Sequence, residues 1–165
     1  MTKSSSRSSF ATVAGCAIWL LLPFVAGAIG GWATTSSVND WYVDLNKPTW
    51  NPPGWIFGPV WTALYLAMGA AACLVWTSAP WNRTRMALLG FAGHLVLNSL
   101  WSILFFGMQQ PGWAFACILL LWLAIGLVAW FFDRHSRLAT FLMLPYWLWV
   151  SFASCLNFSI WMLNR

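Results

Sequence analysis

Apolar residues fill four stretches of the chain that contain no charged side chain: residues 8–39, 48–82, 86–132 and 138–164. A membrane-crossing helix takes about 20 residues at a rise of about 1.5 Å each. The first, second and fourth stretches each hold one such helix. The third stretch has 47 residues. As a single helix it would reach about 70 Å, twice the thickness of a bilayer core, so it folds back. The break falls at Gly107-Met108-Gln109-Gln110-Pro111-Gly112, where two glycines, two amides and a proline interrupt the pattern. The prediction is an all-α membrane protein, one domain over 1–165, with helices at about 10–32, 58–78, 85–106, 112–132 and 138–162 behind a polar tail over 1–9.

Residues 34–57 cannot be one helix, because Pro48, Pro52 and Pro53 interrupt them. Pro59 suits the first turn of the second span, where a missing N–H costs nothing. The loop between the first two spans is therefore long, whereas the other connections are short. Long loops in compact proteins are functional or disordered. Trp41, Tyr42, Trp50 and Trp55 argue for order in this one.

Composition agrees with the pattern. The chain is 61% hydrophobic and 7% charged, against about 25% charged in soluble domains. That excludes a soluble enzyme, a nucleic-acid-binding domain and a disordered tail. The net charge of +5 reads as loop charge instead. Lys3, Arg7, Arg83, Arg85, Arg134 and Arg137 share one side of a five-span topology, and Lys47 and Arg165 the other. The positive-inside rule then places the N-terminus in the cytoplasm and the long loop outside. Lys3 and Arg7 followed by an apolar run and Ala26-Gly27-Ala28 also have the order of a cleaved signal peptide. The run continues through Trp32, longer than such a peptide needs, so a retained span is expected.

Little conventional chemistry is available. His94 and His135 fall on different helices and there is no Glu, so no metal motif forms and no metal site is expected. The three Asp residues sit at membrane edges and cannot build a catalytic triad or a carboxylate pair. With no Asp, Glu, Lys or Arg inside a span, an ion-coupled pump is disfavoured. Cys16, Cys73, Cys117 and Cys155 all lie within spans, none in a C-x-x-C, and read as small packing residues.

The remaining signal is in helical stripes. His94, Asn98, Trp101 and Phe105 share a face of the third span; Trp61, Tyr65, Met68 and Ala72 one of the second; Trp149, Ala153, Asn157 and Ile160 one of the fifth. Polar groups at membrane depth either line a cavity or hydrogen-bond between helices. Both readings stand for Asn98, and the cavity wall is favoured for His94. Trp32, Trp76, Trp81, Trp113, Trp130 and Trp161 fit an interfacial belt. Trp101 and Trp149 lie too deep for one, and an indole N–H there needs a partner. Facing stripes of this kind suit a flat, mostly apolar ligand with a few polar edges.

Several segments together resemble the TspO/MBR family, the tryptophan-rich sensory proteins of bacteria and the translocator proteins of mitochondria, once called peripheral benzodiazepine receptors. They are Trp41-Tyr42, Leu45-Asn46-Lys47-Pro48, Trp50, Pro52-Pro53, Trp55 and Phe57-Gly58-Pro59-Val60-Trp61-Thr62, then Leu64-Tyr65 and Met68-Gly69. The match resumes at Leu97-Asn98, Trp101 and Phe105-Phe106-Gly107, and again at Pro145-Tyr146, Trp149 and Leu156-Asn157.

The resemblance implies a five-helix bundle, commonly a homodimer, with a ligand cavity roofed by the first loop. It implies a porphyrin such as protoporphyrin IX as ligand, no required cofactor, and membrane lipid as surroundings. By motif match the pocket falls on Trp50, Trp61, Tyr65, His94, Asn98, Trp101, Trp149, Ala153 and Asn157, and the lid on Trp41, Lys47, Pro48 and Pro52. Proposed family roles are sensing, transport, and light- and oxygen-dependent porphyrin breakdown. In the last, Trp61 and Trp149 would be electron donors. Lys47 is a candidate partner for a propionate.

Three departures stand out. His94 replaces a Gln of many relatives and could contact the macrocycle edge or ligate haem iron. Cys117 stands where animal proteins carry an acidic residue. The sterol-recognition pattern fails at Phe158, where Tyr is wanted, and Arg165 lies too far beyond it. Sterol is therefore not expected, and a bacterial-type protein in the cell membrane is. A structural role remains as a third class: Ala63, Ala67 and Ala71, or Gly27 and Gly31, would allow close approach of a neighbouring helix.

Overall fold

The computed structural model describes residues 9–165. The elements are α1 (Ser9–Thr35), α2 (Trp41–Asp44), a 3-10 turn (Gly54–Ile56), α3 (Phe57–Ser78), α4 (Trp81–Ser102), a π turn (Ile103–Gly107), α5 (Pro111–Asp133) and α6 (Arg137–Leu163). Among the described residues five helices, α1 and α3 to α6, are long and apolar enough to cross a membrane. The polar tail, with Lys3 and Arg7 of the charge count, lies outside the described residues.

The boundaries move in two places. α4 begins at Trp81, four residues earlier than expected, directly behind Pro80. Arg83 and Arg85 are part of the helix and exposed, because long cationic side chains at a membrane edge reach water from a helical backbone. α1 runs on to Thr35, where Thr34 and Thr35 hydroxyls donate to the carbonyls of Gly30 and Trp32. The predicted break is present. α4 loosens into the π turn, Gln109 takes a left-handed φ of 55°, and Pro111 opens α5 at its first position.

The spans close into a ring in the order α1, α3, α6, α5, α4 and back to α1. Met68, Ala72 and Val75 of α3, Leu88 and Phe91 of α4, Ile118 and Ile125 of α5, and Met143 and Tyr146 of α6 fill the centre. Lipid is as apolar as leucine, so helices gain from close packing and not from hydrophobic burial. α1 shows this. Its contact with α3 is made at small residues: the Trp76 ring lies over Gly15, Tyr65 over Gly27, and Gly69 against the main chain of Leu20. Gly31 has open space around it and Ala63 is exposed, so neither packs against a helix of the same chain.

The cysteines require a correction. Cys16 and Cys73 are joined in a disulfide between α1 and α3, with Cα atoms 4.8 Å apart. Cys117, buried, and Cys155, exposed, are free. No spacing along the chain signals that bond, because it depends on how two separate helices register.

Candidate functional site

The stripes from α3, α4 and α6 meet as their periodicity predicts. Asn98 donates from Nδ2 to the Tyr146 hydroxyl at 3.1 Å, and both are buried. Trp101 donates from Nε1 to Asn157 Oδ1 at 2.9 Å, and Asn157 Nδ2 donates to the Pro111 carbonyl at 2.8 Å. Asn157 thereby ties α4, α5 and α6 together. Trp61 lies 5.4 Å from the Tyr65 ring and 6.2 Å from Tyr146, and Ala153 is buried beside them. The polar groups at membrane depth thus hydrogen-bond between helices: Asn98, Trp101 and Asn157 hold α4, α5 and α6 together.

Among the described residues two buried side-chain atoms are left without a partner, Trp149 Nε1 and His94 Nε2. Trp149 packs between Phe57 at 5.9 Å and Phe152 at 5.4 Å, directly beneath the first loop. A buried N–H with no acceptor costs about 1–3 kcal/mol. His94 is placed differently from expectation. It is 1% exposed, between Phe91 at 4.9 Å and Tyr146 at 5.7 Å, with Nδ1 on the Phe91 carbonyl. It is a core residue behind Tyr146 and not part of an open wall. Periodicity assigns the helix face, and the neighbouring helices decide which length of that face is filled.

The loop is ordered and built around α2. Trp41 and Tyr42 pack edge-on against Phe105, at 5.7 and 6.2 Å. Ser37 donates to the Phe106 carbonyl at 2.8 Å. Pro48 and Pro52 offer carbonyls to the Asn51 backbone and side-chain amides. Tyr42 donates its hydroxyl to Asn51 Oδ1 at 3.2 Å. Burial pushes that phenol above its usual range and the hydrogen bond pulls the other way, so the donor proton stays in place. Trp50 is half exposed and meets Phe152 at 5.7 Å.

Lys47 is not free for a propionate. Its ammonium donates to the carbonyls of Tyr42, Val43 and Leu45 at 2.6, 2.9 and 2.8 Å and lies 4.9 Å from the centre of the Tyr42 ring. It closes the C-terminal end of α2, where a cation satisfies carbonyls the helix leaves open.

Two residues of the site are not among those the sequence assigns to the pocket, although Tyr146 is part of the family motif. Tyr146 sits one turn before Trp149 on the same stripe, and extending that stripe towards the N-terminus would have found it. Asn164 was unmarked. It accepts from the Asn46 N–H and donates to the Asn46 carbonyl, both at 2.9 Å, so it latches the loop to the end of α6. Asn164→Ala should raise hydrogen exchange at the Asn46 amide about fivefold, the loss of roughly one net hydrogen bond. Unchanged exchange would show that the latch holds nothing.

Trp76 leaves the interfacial belt to pack on α1, while Trp32, Trp81, Trp113 and Trp130 are exposed as a belt requires. A groove of about 550 Å³ beside the loop end is bounded by Gln110, Trp113, Trp161, Asn164 and Arg165. None of the predicted pocket residues lines it.

Five spans around a polar and aromatic interior, capped at one end by an ordered loop, define an integral, multi-pass α-helical membrane protein. Residues 9–162 match the TspO/MBR family, and the chain belongs to that family. It is similar to the tryptophan-rich protein TspO of Archaeoglobus fulgidus, 41% identical over 145 residues, 88% of this chain and 94% of the relative. It is similar to the tryptophan-rich sensory protein of Cereibacter sphaeroides, 38% identical over 149 residues, 88% and 92% of the two chains. The translocator protein of Bos taurus is 37% identical over 147 residues, 88% of this chain and 87% of the relative.

Proposed function

We propose that this protein binds a planar tetrapyrrole of the protoporphyrin IX type between α3 and α6 under the first loop, in a sensory or transport role. The carrying observation is the Trp149 indole N–H, buried beneath the loop with no acceptor. A tetrapyrrole supplies what that site lacks: a flat face for the surrounding rings and a ring nitrogen or propionate oxygen as acceptor. Trp61, Tyr65, Trp101 and Ala153 form the facing wall, Asn98 and Asn157 fix its polar edges, and Trp50 stands at the rim. Phe57 and Trp149 are in contact, so entry requires those rings to part and the loop to lift at Asn46–Asn164. His94 acts behind this wall, holding Tyr146 in place.

No resident cofactor or metal is needed for this role. Arg83, Arg85, Arg134 and Arg137 lie at one end of the bundle and Lys47 and Arg165 at the other, which favours the first end in the cytoplasm of a bacterial cell. A homodimer in lipid is the proposed assembly, and sterol is not the proposed ligand.

A second reading is light- and oxygen-dependent degradation of the bound porphyrin. Trp61, Tyr65 and Tyr146 form an unbroken run of ring contacts suited to electron donation. One titration separates the two. Protoporphyrin IX is added in the dark, then illuminated with and without oxygen. Saturable binding with a persistent Soret band supports binding alone; oxygen-dependent loss of the band supports degradation; no saturable binding removes both. Trp149→Ala is expected to weaken affinity about threefold to tenfold, an aromatic contact of roughly 0.5–1.5 kcal/mol. An unchanged dissociation constant would move the ligand elsewhere.

A further inference from the structure

We infer that Cys16 and Cys73 form a redox-controlled staple that sets how firmly α1 closes the α3 side of the interior. The two helices run antiparallel in a regular register. Cys16 meets Cys73, Leu20 meets Gly69, and Phe24 meets Tyr65 at 5.8 Å, each pair one turn beyond the last. Trp76 lies over Gly15 and donates to the Thr12 carbonyl at 3.3 Å on the near side of the bond. At the far side Tyr65, whose ring also touches Trp61, covers Gly27. The seam therefore begins at the disulfide and ends at the aromatic face between α3 and α6.

α1 is held along this seam by α3 and on its other side by α4, where the Ser99 hydroxyl donates to the Ala26 carbonyl at 3.0 Å and Trp19 meets Phe91 at 6.3 Å. Most of its surface faces outward, and Ala26 is its one residue in the main buried cluster among the described residues. Lipid supplies no hydrophobic drive to hold a helix in place, so on the α3 side the covalent link reinforces a seam made otherwise of close packing at small residues. Cys16 and Cys73 are both partly exposed, each within two turns of the end of its helix that carries the α3–α4 connection. Both lie within the spans, so the reductant that would reach them is a small membrane-permeant thiol. Reduction breaks the S–S bond: two electrons and two protons from two monothiols, or one dithiol, give the Cys16 and Cys73 thiols and the reagent's own disulfide. In the orientation proposed above this end faces the cytoplasm, where thiol pools are kept reduced. The state of the bond then follows the oxidation of that compartment, and a fixed structural disulfide would not be expected there. With the bond open, α1 swings from α3, Tyr65 loses its backing at Gly27, and a passage opens from lipid to the interior.

The ligand half of this inference rests on the tetrapyrrole reading; the helix half does not, and the test reads them separately. In protein air-oxidised in lipid nanodiscs and then denatured, alkylation should label two cysteines, Cys117 and Cys155, and all four when a phosphine reductant is added before alkylation. Hydrogen exchange over residues 12–30 should rise on reduction, and Cys16→Ser with Cys73→Ser should show that raised exchange with or without reductant. Four labelled cysteines in the oxidised protein, or exchange in α1 that reduction leaves unchanged, overturns the staple. Dissociation of protoporphyrin IX is then timed in both states. A rise of about fivefold or more on reduction, the low end of couplings between sites, is expected. Equal off-rates overturn control of the passage. If protoporphyrin IX does not bind either form, the tetrapyrrole reading fails, while the exchange result still decides the staple.

Discussion

Replacing Gly69 with Val is expected to destabilise the bundle by about 3 kcal/mol, at the upper end of overpacking costs. A Cβ at this position would lie 2.8 Å from both Cα and the carbonyl oxygen of Leu20. Those are main-chain atoms, so no rotamer change relieves the clash and α1 must move as a body. The Cys16–Cys73 bond one turn away holds it against that movement. In detergent the variant should melt about 10 °C below the parent, on the scale of a few degrees per kcal/mol for a chain of this length. Reducing the disulfide should return part of the loss to Gly69→Val while lowering the parent, because only in the variant does a released α1 relieve strain. A variant that melts with the parent would mean that the helices do not approach this closely.

Asn157→Leu should cost about 2 kcal/mol, and for a different reason. Leucine fills similar space, but the Trp101 indole N–H loses its acceptor and the Pro111 carbonyl loses its side-chain donor. Interhelical hydrogen bonds in membranes are individually modest, about 0.6 kcal/mol on average. The larger part of the effect is the desolvation of the Trp101 N–H left unsatisfied inside the bundle, since the Pro111 carbonyl at the start of α5 keeps its helical donor. A fall in melting temperature of about 5 °C is expected. Leu148→Ala, at a position 72% exposed to the lipid side, serves as the control and should leave the melt unchanged. If Asn157→Leu behaved like that control, the three-helix tie would not exist. The same substitution should broaden the fluorescence of Trp101, since its ring loses the bond that fixes its orientation.

The sequence alone determined the number of spans, the break at 107–112, the order of the loop and the three interior stripes. Each of these is a local property. Span length follows from residue count and rise, the break from residues that cannot continue a helix, and a stripe from the period of 3.6 residues. Asn98, Trp101, Asn157, Trp61, Trp149 and Ala153 are buried or partly buried in the bundle for that reason. The tertiary structure decided everything that depends on which turn of one helix meets which turn of another. The Cys16–Cys73 bond exists because α1 and α3 register antiparallel around Gly69, and nothing in either segment states that register. His94 shares a face with Asn98, yet the packing of Phe91 and Tyr146 around it makes it core and not wall. Lys47 turned inward because the short α2 helix exposes carbonyls that a cation can close, and Asn164 became a latch because the loop returns to the end of α6. A side chain's chemistry is written at its own position, but its partner is supplied by a segment distant in the chain, and only the packed bundle brings the two together.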